Sequence, residues 1–377
     1  MKSLKAVTMI DTTKFDIELT VPLKSKIPFN QPTYYGSYNG PITAYLNTSK
    51  SDKKFGKYHP SFTYHQNPTS SPFARYVLKV QLSLPKIIFG NNFVELTDND
   101  FDDVVFAIKQ ELERIGVDVD LEQIKRAEAV KIDFSKNIVF NDHTPTSMVI
   151  RSIATGDISK TYDVRLTKFI NGGQAFHIHT NCEDIVIYDK MDDLKQGKKS
   201  DKRAIEDDNH IQLGILDKLK DKKGLSVLRF EVRLSGKRKI RASLAEAGVE
   251  FDDLSLQTLF KANVAQKVLL NAWNKIVATI PKVPLSNDDP LALFEEIIKD
   301  PTITRQKAEA KLGAMWLFGT TQDTRLIRNL YDKRFGEHTW GRLKNLRDPP
   351  SSKQLKALLY ITKKLQEMEA VTLDDFG

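Results

Sequence analysis

Near residue 236 the hydrophobic periodicity of the chain changes, and that change limits the possible folds more than any single motif does. Before it, apolar residues alternate with polar ones in short runs, the period of a half-buried strand. After it they recur every three or four residues, the period of a helix face. Strands are expected at Ile10–Leu19, within Arg75–Phe89, at Ala127–Phe134, Thr161–Ile170, Ala175–Thr180, Asp184–Lys190 and Leu225–Leu234. An amphipathic helix opens at Asp98 or Asn99 and stops at Gly116, and another spans Asp207–Lys222. The polar stretch Asn30–Pro72 reads as a long insertion, short hairpins or a substrate-facing loop. From Phe251 onward only helices are expected: Phe251–Ile280, Pro290–Lys299, Thr304–Leu317, Asp323–Tyr331, Glu337–Leu346 and Ser351–Met368. The fold class is therefore α+β, a mainly antiparallel sheet flanked by helices and followed by an all-helical domain. The expected division is 1–240 and 241–377.

Composition narrows the setting. The 377 residues exceed one typical domain. No run approaches the roughly 18 apolar residues a membrane span needs, and the N-terminus lacks a signal-peptide pattern. With Cys182 the only cysteine, an internal disulfide and a multi-cysteine zinc site are excluded. The expected location is the cytoplasm, with no membrane partner. A net charge of +8 favours a polyanionic partner, because Lys and Arg contacts to phosphates release counterions.

The densest chemistry lies between Ala127 and Leu234. His177 and His179 flank Ile178 in a strand, so both imidazoles leave one face while Ile178 points inward. Such a pair either holds a divalent ion or sits on a solvated strand. Tyr188 and Lys190 end the next strand, while Asp133 and Glu231 lie in two others. With these strands adjacent, His179, Asp133 and Glu231 could surround one metal, with His177 a further candidate ligand. Tyr188 would then be a nucleophile whose charge Lys190 offsets. Alternatively, Asp133 and Glu231 are ion-pair partners of Lys131, Arg229 and Arg233.

The string HTNCEDIVIYDKMDDLKQ, with KIDFSKNI upstream and LRFEVRL downstream, resembles the filamentous-phage gene II/X type replication initiation proteins, which belong with the rolling-circle replication initiators. Met9-Ile10-Asp11-Thr12 is similar to the usual start of that family, and His-Ile-His resembles the metal signature of the wider superfamily. The resemblance spans roughly Met9 to Leu234. It implies a site-specific, single-strand DNA endonuclease that also rejoins strands, with Tyr188 as the nucleophile. Its steps would be two transesterifications through a 5′-phosphotyrosine link, supported by Mg²⁺ or Mn²⁺. Its implied partners are phage or plasmid origin DNA, double- and single-stranded, and a bacterial host's helicase and polymerase. In the wider superfamily the tyrosine follows on a helix, whereas Tyr188 ends a strand here.

Two basic runs adjoin the presumed site strands: Lys198–Arg203, and Lys237, Arg238, Lys239 and Arg241. Either run holds phosphates or is a solvated loop. Asp323–Arg334 and Glu337–Arg347 suit a helix-turn-helix, with Arg342 and Lys344 toward DNA, or a plain bundle. Tyr34, Tyr35 and Tyr38 could stack on unpaired bases or pack in a loop. Two other functions compete: a non-catalytic sequence-specific DNA-binding protein, such as a repressor or packaging factor, and a metal-dependent hydrolase that uses water.

Overall fold

The computed structural model describes the chain outside residues 1–9, 31–41, 50, 53–55, 67–75, 143, 155, 157, 159–167, 171–173, 194–225, 281–293, 295–296, 299–300, 322–329, 332, 337–352 and 373–377. The helix expected at Asp207–Lys222, the basic run Lys198–Arg203, Tyr34, Tyr35, Tyr38, Arg342 and Lys344 lie outside the described residues. Most of the helix-turn-helix segment does as well.

Alternation of polar and apolar residues produces the strands. They are β1 (Ile10–Leu19), β2 (Ile42–Leu46), β3 (Ser61–Gln66), β4 (Tyr76–Ser83), β5 (Ala129–Phe140), β6 (Lys168–Ile170), β7 (Ala175–His179), β8 (Glu183–Asp189) and β9 (Ser226–Ser235). The helices are α1 (Leu84–Phe89), α2 (Phe101–Ile115), α3 (Leu121–Lys125), α4 (Thr146–Ala154), α5 (Lys237–Glu246), α6 (Leu256–Leu259), α7 (Ala262–Val277), α8 (Arg305–Thr321) and α9 (Lys353–Glu367). The fold is α+β, an antiparallel sheet flanked by helices with helices in the C-terminal part. Of the three readings of Asn30–Pro72, short hairpin strands describe the segment best, since β2 and β3 pair there.

Arg75–Phe89 departs from the strand expectation. Its second half is α1, which carries Pro85 in its first turn, where the missing N–H removes no helix bond, and which ends at Gly90 with φ 67°. The predicted Phe251–Ile280 helix is divided into α6 and α7. Ser255 caps α6 by accepting from the Thr258 N–H, which starts a new helix inside the apolar period.

The chain forms two compact units, neither continuous in sequence. The first comprises Met1–His143, Asn181–Asn271 and Leu365–Gly377, and the second Thr144–Thr180 and Ala272–Lys364. The boundary expected at 240/241 lies inside the first unit. That unit carries seven strands in the order β2-β3-β4-β1-β5-β9-β8. Directly opposed residues of antiparallel strands share a face. One face therefore holds the buried rows Phe62–Val80–Phe15, Tyr64–Leu78–Ile17 and Phe134–Val232–Ile185. Residues one step along each strand make the other face polar. Helix α1 packs on β1 and α2, and α5 packs on β5 and β9. In α2, Val104, Val105, Ile108, Leu112 and Ile115 form the buried stripe.

In the second unit β6 pairs with β7, and α4 packs against β7. A small core joins Ile297, Ala308 and Ala314, packed by Phe294, Leu312 and Tyr331 among others. Trp273 is fully buried, and its indole N–H donates to Thr362 Oγ1 at 2.8 Å. Among the described residues no helix is long and apolar enough to cross a membrane.

Candidate functional site

The polar face of the first unit's sheet concentrates charge around β9. Arg229, Glu231 and Arg233 are spaced two apart and share that face. Opposite them on β5 lie Asn137, Ser135 and Asp133, and on β8 lie Tyr188, Val186 and Asp184. A register shift in β1 between Ile10 and Thr12 releases Asp11 from strict alternation. Asp11 then reaches Arg229, its Oδ1 3.0 Å from Nη2. Arg229 is fully buried, and every nitrogen of its guanidinium is engaged. Nε donates to Glu231 Oε1 at 2.6 Å, Nη1 to the Asn92 carbonyl and Asn137 Oδ1, and Nη2 to Ser135 Oγ. Arg233 clamps the other Glu231 oxygen through Nε at 2.8 Å and through Nη2.

Tyr188 is half-buried and donates its hydroxyl to Glu231 Oε1 at 2.8 Å. Burial and the neighbouring Glu231 charge raise its pKa well above the ordinary phenol value. Burial alone would also raise the Glu231 carboxyl, but Arg233 and Arg229 hold it far below the usual carboxylate range. Lys190, the first residue after β8, is buried with its ammonium 5.7 Å from the Tyr188 ring centroid and 5.5 Å from that of Phe93. Desolvation lowers its pKa despite Asp193, which lies 3.3 Å away.

Asp133 differs from Glu231. Burial pushes its carboxyl up to about 6, against the pull of Lys131 and Arg233. One oxygen accepts from Lys131 at 3.0 Å, and Oδ1 is buried with no hydrogen-bond partner among the described residues.

The candidate residues are thus sorted by position. Tyr188, Glu231 and Asp133 share one sheet face, and Tyr188 touches Glu231 directly. The ion-pair alternative describes both carboxylates, through Lys131 for Asp133 and through Arg229 and Arg233 for Glu231. Both Glu231 oxygens are held by guanidinium groups whose charge repels a cation and keeps the carboxylate ionised, so in this clamp Glu231 is poorly suited to bind a metal. His177 and His179 belong to the second unit, on β7, half-buried on either side of the fully buried Ile178. Their rings meet edge to face with centroids 5.8 Å apart, and each offers a ring nitrogen within 4.8 Å of the other's. Two imidazoles this close can share one divalent ion.

The basic run after β9 is a helix start, not a loop. Gly236 turns the chain at φ 88°, and Lys237 opens α5. Lys237 pairs with Glu128, Arg241 approaches Glu128 at 3.6 Å, and Lys239 pairs with Glu183. Three of the four candidate DNA-binding cations of this run are therefore partly neutralised, while Arg238 is exposed.

Asp11, Asn92, Ser135 and Asn137 escaped the sequence reading, the first two for want of any local signal. Asp11 is displaced by a bulge that strict alternation does not forecast. Asn92 contributes through its backbone carbonyl, which no side-chain pattern encodes. No family model, curated protein or solved structure matches the chain.

Proposed function

We propose that this protein nicks and rejoins a DNA strand as a rolling-circle replication initiator, with Tyr188 as the nucleophile. The observation that carries the reading is the Tyr188 hydroxyl held 2.8 Å from a carboxylate oxygen of Glu231, on a sheet face that also bears two arginines and Asp133. Tyr188 Oη attacks the scissile phosphorus, and the P–O3′ bond breaks. The products are a 5′-phosphotyrosine and a free 3′-hydroxyl. In the reverse step a 3′-hydroxyl attacks the phosphotyrosine, closing the strand and restoring the phenol. The energy of the broken bond is stored in the new one, so no nucleotide cofactor is required.

The proton path follows from the clamp. While Arg229 and Arg233 both bind Glu231, its carboxylate is a weak base and Tyr188 stays protonated. Arg233 is about one-third exposed, whereas Arg229 is fully buried, so Arg233 is the partner a substrate phosphate can draw away. Its transfer to the phosphate leaves Glu231 more basic next to the phenol and brings a charge-assisted contact to the transferring group; Glu231 then takes the Tyr188 proton and returns it to the departing 3′-oxygen. Lys190, packed over the Tyr188 ring, favours the phenolate electrostatically.

The donor set of His177 and His179 fits a divalent ion, with its remaining positions left to oxygen donors; imidazole favours Mn²⁺ over Mg²⁺. Such an ion, when bound, would supply positive charge to a phosphate ligand. Origin DNA, entered as duplex and cut as a single strand, is the proposed partner; in a bacterial cytoplasm a host helicase would unwind the duplex and a host polymerase would extend the freed 3′-end.

The deciding experiment incubates the protein with Mn²⁺ and supercoiled DNA of the replicon that encodes it, then denatures the mixture. A covalent protein–DNA adduct that is absent with Tyr188→Phe is the expected result. Nicking that leaves a free phosphate and no adduct would make the protein a water-using hydrolase. Specific duplex binding without cleavage, unchanged in Tyr188→Phe, would make it a non-catalytic DNA-binding protein. Either outcome sinks the proposal.

A further inference from the structure

A cavity of about 400 Å³ opens on the first unit's sheet beside the charged network. Four of its walls come from the polar face: Thr12 of β1, Ser61 of β3, and Gln81 and Ser83 of β4. The register confirms that they share this face, since Ser61 opposes Gln81 and Thr12 opposes Ser83. The same register joins the cavity to the candidate site. Thr12 also opposes Asp133, and Ser83 Oγ donates to Asp11 Oδ1 at 3.4 Å, the carboxylate paired with Arg229.

Asn47 and Leu82 complete the lining with four residues placed by contacts of their own, Tyr58, Lys86, Thr48 and His59. The Tyr58 phenol oxygen accepts the Ser83 backbone N–H, and the Lys86 ammonium stands 5.8 Å from the Tyr58 ring centroid. Thr48 Oγ1 donates to the His59 carbonyl at 2.7 Å, and the His59 ring is bonded to Glu111 at 3.0 Å.

The chemistry of this lining selects the ligand. Among the described residues no carboxylate lines the cavity, which argues against a cation. One lysine accompanies the amides of Asn47 and Gln81 and several hydroxyls. That mixture suits a largely neutral, polar ligand with a single anionic group. A bare phosphate would leave the two amides without purpose, and a polyphosphate would need more than one cation. The volume falls in the range of small-molecule sites, roughly 300–1,000 Å³.

We infer that this cavity is a subsite for one nucleotide of a single DNA strand, its phosphate on Lys86 and its base edge on Gln81 and Asn47. The inference rests on the nickase reading, which it deepens by placing the strand. From Thr12 to Arg233 is two strand spacings, roughly 10 Å, so a strand crossing this face can fill the cavity while a neighbouring phosphate meets Arg233.

The test uses the full chain in the presence of chelator, so that binding is read without cleavage. A fluorescent single-stranded oligonucleotide and its duplex are titrated against wild type, Lys86→Met, Lys86→Arg and Gln81→Leu, with thermal unfolding as the check on folding. Lys86→Met is expected to weaken single-strand binding about fivefold and to reduce the salt dependence of log K by about 0.7, the loss of one phosphate contact. Lys86→Arg retains both. Gln81→Leu weakens binding with an unchanged salt slope, and duplex affinity changes little in either variant. Deoxythymidine monophosphate competes with the oligonucleotide, while inorganic phosphate at the same concentration does not.

Single-strand affinity indifferent to both Lys86→Met and Gln81→Leu overturns the subsite, as does equal loss for duplex or equal competition by inorganic phosphate. The adduct assay separates the two readings. Cavity-dependent binding without any adduct keeps the subsite and removes the nickase. An adduct together with cavity-independent binding does the reverse.

Discussion

A buried carboxylate oxygen without a hydrogen bond costs the fold free energy, and among the described residues Asp133 Oδ1 has no partner. Its folded pKa of about 6 lies above the ordinary 3.8, because burial penalises the charged form more than Lys131 and Arg233 restore it. A raised acid contributes stability that is complete below the unfolded pKa and is lost as pH rises through the folded one. The loss should therefore develop between about pH 4 and 6 and remain constant above. Two pK units correspond to about 3 kcal/mol. Asp133→Asn is expected to be more stable than wild type by up to that amount at pH 7.5, with the difference vanishing near pH 3.5. Urea unfolding at the two pH values measures it, and a variant less stable at pH 7.5 would refute the argument. Glu231 has the opposite sign: its depressed pKa gives stability that is present above the ordinary carboxylate value and lost as pH falls below it. Asp133 shares the sheet face of Glu231 and Tyr188, so on the nickase reading the same Asp133→Asn protein should form less adduct. At this scale the sequence was informative where alternation alone sufficed. LRFEVRL put Arg229, Glu231 and Arg233 on one face, and KIDFSKNI put Asp133 there too. It did not choose between metal ligation and ion pairing, because that choice depends on which cation reaches each carboxylate. Asp11 was hidden for a related reason, since its partner Arg229 is 218 positions away and meets it only through a bulge.

Elements were legible where local chemistry marks their ends. Helix α2 follows a short 3₁₀ turn in which Thr97 and Asp100 bond reciprocally, and it closes at Gly116 with φ 88°. All of those signals lie within a few residues. Helix α5 was missed because its first residues, Lys237 to Arg241, look like a solvated basic loop. Charge at a helix N-terminus is normally unfavourable when positive. Glu128 and Glu183, distant in sequence, offset that charge. Gly236 makes the turn from β9 into α5 at φ 88°, and its N–H donates to the Val130 carbonyl at 2.8 Å. A Cβ at this position would meet nothing within 4 Å, so the penalty of substitution is conformational only. Gly236→Ala and Gly236→Asn should each cost about 1–3 kcal/mol by denaturant unfolding, because φ 88° with ψ 134° lies outside the left-handed helical region that Asn tolerates. Equal stability of Ala and Gly here would show that the turn relaxes out of positive φ.

The chain as a whole does not divide where its periodicity does. The shift from strand to helix patterning at residue 236 is real, yet residues up to Asn271 and the C-terminal Leu365–Gly377 belong with the sheet. Periodicity reports secondary structure, and nothing in it records which unit an amphipathic face is buried in. The attachments are backbone and buried-charge contacts. Ala129 N–H donates to the Leu254 carbonyl, and Leu256 N–H to that of Ala127. At the other end of the chain, Glu95 accepts from the Val371 N–H at 3.0 Å, its own N–H donates to the Val371 carbonyl, and buried Lys136 donates to Glu95 and to the Glu369 carbonyl. Cutting after residue 240 removes Leu244, Leu254, Leu256, Leu259, Phe260, Val268 and Leu269, all buried. At about 1.5–3 kcal/mol for each such side chain, their loss reaches the 5–15 kcal/mol that holds a typical domain together. Deleting 365–377 as well leaves the Lys136–Glu95 pair without its backbone partners. A fragment of residues 1–240 should therefore lack dispersed amide resonances and a cooperative unfolding transition. A fragment of residues 1–271 joined to 365–377, with 144–180 replaced by a short linker, should recover both. If the 1–240 piece unfolds cooperatively alone, the sheet is self-sufficient and the helices beyond it are appended, as the periodicity first suggested.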